Sequence, residues 1–423
     1  MNKEINFKLN NIDFKLINTN RYKTITGIIS FVRPLDKKDF TYYSLINRLI
    51  GSSTNKYKTK KELSNKVYEL YDCNVYMSTY YSYKTANNYF VFQTIDGKIV
   101  DDKLLFSKCI DLLKEIILNP NVENEGFNNK NFLEEKRALE NDIKNVYNNK
   151  KKYAFRKLME GMAPNDIISA STLGDLDILE SITPQSLLDF YKQILNESYI
   201  NVGIIGNVSE DEVKDYFCDF SFPSKKIELL HYPKEVIFKE KVLELSETQD
   251  IMQSKLLMAF RYDIDYNHKY YVPLLIFNAM YGSMFGSTLF TVIREQYSLT
   301  YDISSEILLN KKILIVSCGV DNKNCSLASD LVIKELEKYK QGIIDEKLLR
   351  VAKDFIINDL KEMQDSAFSS LSYMIERKLS ERPTIDEMFD KIHNVSLDDI
   401  KEVSNLIKLD TIFILKPGDD YEK

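Results

Sequence analysis

Hydrophobic and polar positions alternate through residues 4–33: Ile5, Phe7 and Leu9, then Ile12, Phe14 and Leu16, then the run from Thr26 to Val32. This period-two pattern predicts a β-hairpin followed by a third strand. The period then lengthens. Leu45, Ile46 and Leu49 share one face of a helix over about 38–50, which Gly51-Ser52-Ser53-Thr54 ends. Leu63, Val67 and Leu70 mark a second helix over 60–71, and strands follow at 74–81 and 88–94. Cys109, Leu112, Leu113 and Ile116 give residues 102–118 an apolar helical face, and Asn119-Pro120-Asn121 ends it. A long helical stretch is expected over 128–159 and a loop over 163–172. A helix opened by Thr183-Pro184, a buried strand at 199–205 and a helix at 209–217 complete the first half.

Two prolines and a lysine pair between Asp219 and Pro233 mark a linker, after which the order restarts. Strands are expected at 235–244 and 254–262, a helix at 270–281, a strand at 313–320, helices at 325–339, 345–364 and 366–379, a helix capped by Ser396, and a strand at 409–415. Each half closes alike: LLDFYKQILNESYINVGIIGN in the first, LDDIKEVSNLIKLDTIFILKP in the second. The shared order over about 200 residues predicts two α+β domains of one fold, residues 1–222 and 223–423. Each is expected to be a mainly antiparallel sheet with helices packed on one face.

Composition narrows the function classes. A net charge of -6, with lysines interleaved among acids, leaves no basic footprint for nucleic acid. No apolar run approaches the roughly 18 residues of a membrane span, and the N-terminal alternation lacks a signal-peptide core, so a cytoplasmic protein is expected. Five cysteines without a CxxC read as reduced core thiols, and His231, His268 and His393 lie too far apart in sequence for a local zinc motif. P-loop, dinucleotide, GxSxG and HExxH motifs are absent, and no cofactor is expected.

The segment from Phe277 to Ser305 concentrates the candidate chemistry. Gly282 and Gly286 flank a turn; Leu289, Phe290 and Ile293 form an apolar helical face; Arg294-Glu295 closes that helix, and Tyr301-Asp302-Ile303 alternates like a strand. The run Gly282–Leu289, Phe290, Arg294-Glu295 and Leu299-Thr300-Tyr301 resembles the second domain of the M16 (pitrilysin or insulinase-like) zinc peptidases. The repeated halves resemble the fold that this family shares with the mitochondrial processing peptidase. The resemblance implies that Arg294 and Tyr301 bind the substrate backbone and stabilise charge developing at the scissile carbonyl, as fixed guanidinium and phenol donors would. From spacing alone, Arg294 also reads as a helix C-terminal cation and Tyr301 as a half-buried strand residue.

The family's His-x-x-Glu-His motif belongs in the first helix. Tyr43 and Asn47 stand at the two histidine positions and Ile46 at the general base. Asp142 falls at the downstream ligand position, seven residues after Glu135, so no metal is expected; Glu134, Glu135 and Glu140 read as surface charges. The chain therefore resembles a non-catalytic, YfmF/YmfF-like member. The resemblance implies a pseudoenzyme that pairs with a zinc-bearing paralogue, or with itself, to bind or process peptides. It points to elongation factor P modification or bacteriocin maturation as the pathway. The alternative is a non-enzymatic scaffold or peptide-binding chamber protein. A self-sufficient carboxylate enzyme lacks a nucleophile with a positioned base.

Overall fold

A computed structural model describes residues 3–418. The extreme ends of both expected domains, residues 1–2 and 419–423, lie outside the described residues. In chain order the elements are β1 (Lys3–Leu9), β2 (Ile12–Asn18), β3 (Thr24–Pro34), α1 (Asp39–Leu49), α2 (Lys60–Glu69), β4 (Asn74–Ser82), β5 (Thr85–Ile95) and α3 (Leu105–Leu118). A two-residue hairpin follows, β6 (Val122–Glu123) and β7 (Gly126–Phe127), then α4 (Asn129–Asn145), α5 (Lys150–Met162), α6 (Leu176–Ser181), α7 (Pro184–Glu197), β8 (Tyr199–Gly206) and α8 (Glu210–Phe217). The remainder runs β9 (Leu243–Gln249), β10 (Ser254–Arg261), α9 (Tyr271–Asn278), β11 (Ile303–Leu308), β12 (Ile313–Val320), α10 (Cys325–Lys340), α11 (Glu346–Asp365), α12 (Ala367–Ser380), α13 (Ile385–Asn394), α14 (Leu397–Asn405) and β13 (Lys408–Pro417).

The chain forms two compact units, each discontinuous in sequence. The first comprises residues 1–144, 171–231 and 364–376; the second comprises 145–170, 232–363 and 377–423. In the first unit six strands lie in the order β1-β2-β8-β3-β5-β4. Only β2 and β8 pair in parallel. β8 is almost wholly buried, because both its faces are covered. At Gly203 a Cβ would lie 2.8 Å from the Cδ1 atoms of both Leu371 and Ile375, so α12 packs closely on this strand.

In the second unit the order is β11-β12-β10-β13-β9, with β13 and β9 parallel and the other pairs antiparallel. Leu256, Met258 and Phe260 of β10 face one core with Val272 of α9, Leu331 of α10, Met388 of α13 and Ile400 of α14. The opposite face of this sheet is covered by α5: a Cβ on its Gly161 would lie 2.1 Å from Leu245 Cδ1 of β9.

Several local expectations are corrected. The stretch 128–159 is not one helix: it breaks after α4, and Asn149 caps α5 by accepting from the Lys152 amide. The strand expected at 235–244 begins only at Leu243, where the chain reaches β13 and finds a pairing partner. Helix α13 was absent from the expectations although Thr384 and Glu387 form a capping box, the signature of a helix start. Tyr301 precedes its strand: Thr300 Oγ1 accepts from the Asp302 amide at 3.1 Å in a local turn, and β11 starts at Ile303.

Candidate functional site

In the first unit the candidate positions lie on α1. The loop 171–175 fixes this helix. The Asp175 amide donates to Thr41 Oγ1 at 3.0 Å, Ser44 Oγ donates to the Thr172 carbonyl at 2.9 Å, and Gly174, at φ +97°, passes so close that a Cβ would lie 2.6 Å from Thr41 Cα. Tyr43 is fully buried, with the Phe190 ring 5.2 Å and the Tyr81 ring 6.1 Å away. Its hydroxyl makes no hydrogen bond to another residue. Burial pushes the phenol far above its usual range, and the Arg33 guanidinium beside it opposes the shift only in part. Ile46 is wholly buried. Asn47 Nδ2 donates to Thr79 Oγ1 at 3.0 Å, and the Thr79 hydroxyl lies 3.2 Å from Asn47 Oδ1.

Asp142 is exposed and ion-paired with Arg48 of α1. Glu135 accepts from Lys60 at 2.7 Å, Glu134 lies 3.4 Å from the same ammonium, and Glu140 pairs with Lys144 one turn on. These residues do not fit a zinc ion. A neutral buried phenol, an alkyl chain and an amide closed on a threonine offer no ligand set, and the one carboxylate is held by an arginine. Among the described residues, no group of three or more His, Cys, Asp or Glu side chains stands close enough to hold a metal.

Sequence reasoning placed the strand at 74–81 but not its contact with Asn47. β4 is an edge strand of its sheet. Its residues Val75, Met77, Thr79 and Tyr81 alternate onto the side facing α1: Tyr81 reaches the Tyr43 and Phe40 rings, and Thr79 reaches Asn47. The NVYMSTYYS alternation was legible as a strand, but its place at the edge depends on a sheet order that the sequence does not state.

In the second unit the segment 277–305 is held from beneath and open above. Phe277 stacks on Tyr281 at 5.1 Å, and Tyr281 donates to the Val332 carbonyl at 2.7 Å. Gly282 meets Ser305 so closely that a Cβ would lie 2.6 Å from its Oγ, while Gly286 adopts φ +75°. In place of the expected α-helix, Phe290–Gln296 is a π-helical turn. Such wide turns recur at functional sites. Leu289 and Ile293 are buried as expected, but Phe290 is only partly buried. Arg294 stands exposed, its guanidinium 4.6 Å from the Phe290 ring centroid, and the Phe285 ring packs on Phe290 at 4.6 Å. Tyr301 is 88% exposed, immediately before the edge strand β11. Lys151 of α5 lies 3.7 Å from the neighbouring Asp302. Tyr301 thus faces solvent, and Arg294 is exposed with its guanidinium over the Phe290 ring.

The family described as Peptidase M16 inactive domain matches residues 181–355, which include Arg294 and Tyr301. Over 421 residues the chain is 26% identical to the probable inactive metalloprotease YmfF of Bacillus subtilis, covering 98% of this chain and 97% of that protein. In these comparisons the chain is similar to M16-type proteins, an inactive one among them. The chain is also 21% identical over 306 residues to the uncharacterised zinc protease YmxG of the same bacterium, covering 71% of this chain and 72% of that protein. Its fold superposes on a conserved protein from Enterococcus faecalis with a TM-score of 0.91 at 24% identity, covering 99% of both chains. No helix among the described residues is long and apolar enough to cross a membrane.

Proposed function

We propose that this M16-like protein is a catalytically incomplete subunit that binds extended peptides and supplies Arg294 and Tyr301 to a zinc-bearing paralogue. The observation that carries the reading is a contrast. The residues at the metal positions are absorbed into packing and local pairing, whereas Arg294 and Tyr301 stay exposed beside an edge strand. Packing and pairing account for the first set, whereas the second keeps its donors toward solvent. A guanidinium and a phenol held in the open are donors for a carbonyl or an oxyanion supplied from outside. The edge strands β4 and β11 supply the other requirement, since an extended peptide adds to a sheet edge through main-chain hydrogen bonds. The likeness to both an inactive metalloprotease and a zinc protease supports the pairing of an incomplete with a complete subunit.

The domains carrying these roles are residues 1–222, with the degenerate metal positions, and 223–423, with the Arg/Tyr pair. The protein is taken to act in the cytoplasm, with elongation factor P modification or bacteriocin maturation as its pathway. The test is reconstitution. The isolated chain is expected to bind no stoichiometric zinc and to cleave no peptide, and a mixture with its zinc-bearing paralogue to cleave.

A second reading keeps the peptide and drops the chemistry: the same edge strands hold a peptide without hydrolysis, with the chain pairing with itself. A stable complex of wild-type chain and intact peptide, unchanged by any zinc-bearing paralogue, would favour it.

A further inference from the structure

Two thiols of the first unit stand against each other in its core. Phe106 of α3 packs on Phe92 of β5, ring centroids 6.1 Å apart. One turn further along α3, the Cys109 sulfur faces the hydroxyl of Thr94, the next residue of β5 on that side. The other thiol comes from the start of β4. Asn74 pairs with Gln93, so Cys73, the residue before it, stands across from Thr94 and on the same side as Val75. Strand register and helix packing thus bring Cys73 and Cys109 within hydrogen-bond reach of each other. Both are free thiols, and both are buried.

The pair is unequal. The Cys73 thiol donates toward the Cys109 sulfur, which lowers the Cys109 thiol below its usual range against the opposing effect of burial, while Cys73 is raised. The turn before Cys73 supplies access. Tyr71 and Asp72 hold φ +55° and +57°, left-handed values that are strained for a tyrosine, and the Tyr71 side chain is exposed. Such a turn opens at lower cost than the sheet beside it. Asp72 and Val75, on either side of Cys73, also line a surface cavity of about 370 Å³, which admits a molecule as small as hydrogen peroxide.

We propose that Cys73 and Cys109 are a peroxide-sensitive pair that closes to a disulfide, tying the start of β4 to α3. The Cys109 thiolate attacks one oxygen of hydrogen peroxide; the O–O bond breaks, a sulfenic acid forms, and the other oxygen leaves as water with the thiol's proton. The Cys73 sulfur then attacks the sulfenic sulfur; the S–O bond breaks, and the hydroxyl leaves as a second water with the Cys73 proton. Two thiols thereby give two electrons to one peroxide. The buried thiols of the second unit are held differently. Cys325 Sγ donates to the Asp321 carbonyl at 3.8 Å, and burial pushes the Cys318 thiol up to about 12.

The test uses the full chain carrying Cys218→Ser, which removes the exposed thiol. The folded protein is treated with a small molar excess of hydrogen peroxide, quenched with catalase, and alkylated in urea with N-ethylmaleimide. Peptide mass spectrometry is expected to find Cys73 linked to Cys109, with Cys318 and Cys325 alkylated. The link is expected to raise Tm by several degrees, an increase that a reductant removes. Alkylation of Cys73 and Cys109 after peroxide treatment of the folded chain overturns the proposal. So does a link that forms only when peroxide is added in urea, or one that fails to raise Tm.

Discussion

Asn47 and Thr79 close on each other: the amide nitrogen of Asn47 donates to Thr79 Oγ1 at 3.0 Å while the same hydroxyl lies 3.2 Å from Asn47 Oδ1. The side chain at the position that the resemblance gives to a metal ligand is thereby turned to an edge strand. An amide and a hydroxyl satisfy one another without a charge, so nothing at this point demands an ion.

Reinstating the metal motif by sequence alone is therefore expected to fail. The triple variant Tyr43→His, Ile46→Glu, Asn47→His places a carboxylate at a fully buried alkyl position and polar rings among Phe190 and Tyr81. It is expected to lose at least about 3 kcal/mol of stability and to retain no zinc after dialysis. Thermal unfolding and elemental analysis check both.

Tyr43→Phe points the other way. The buried hydroxyl falls outside hydrogen-bond geometry, and its polar neighbour, the Arg33 guanidinium, also lies over the Phe190 ring. The change is expected to be neutral or to stabilise by up to about 1 kcal/mol, an increase in Tm rather than a loss.

The first unit contains residues 364–376, whose Leu371 and Ile375 lie over Gly203 of β8. A fragment of residues 1–231 lacks that cover and exposes a strand buried on both faces. It is expected to show no cooperative unfolding transition. A longer fragment, with residues 364–380 joined through a flexible linker, is expected to restore one, as read by calorimetry.

Lys311 sets a pH dependence in the second unit. Burial, against the opposing charge of Asp166, lowers its ammonium to about 8, while its Nζ donates to the Ile168 carbonyl at 3.0 Å. The unfolded group titrates near 10.5. The folded state therefore releases its proton first, and the linked stability is fully present above about 10.5 and lost as pH falls through about 8. Unfolding free energy is expected to rise by about 1–3 kcal/mol between pH 8 and 10, and Lys311→Met to flatten that rise in denaturant titrations.

Much of this was legible in the chain. Period-two and helical spacing located most strands and helices, and the Gly-rich run with Arg294 and Tyr301 pointed to the family whose inactive-domain description matches residues 181–355. Nonlocal pairing was not legible. The strand expected at 235–244 forms later because β13 decides where β9 can pair, and β4 carries the β-pattern of any strand while its edge position follows from the whole sheet. Likewise the Phe290–Gln296 turn has ordinary helical spacing, which does not distinguish its wide geometry from an α-helix.

The central claim is that Arg294 serves a substrate held with a zinc-bearing partner. Arg294 is exposed, so Arg294→Ala is expected to change stability by no more than about 0.5 kcal/mol. The most direct measurement is the peptidase activity of the mixed subunits, wild type against Arg294→Ala. The account predicts cleavage only in the mixture, falling by at least about tenfold with Arg294→Ala while complex formation persists. Mixed activity untouched by the substitution would contradict it.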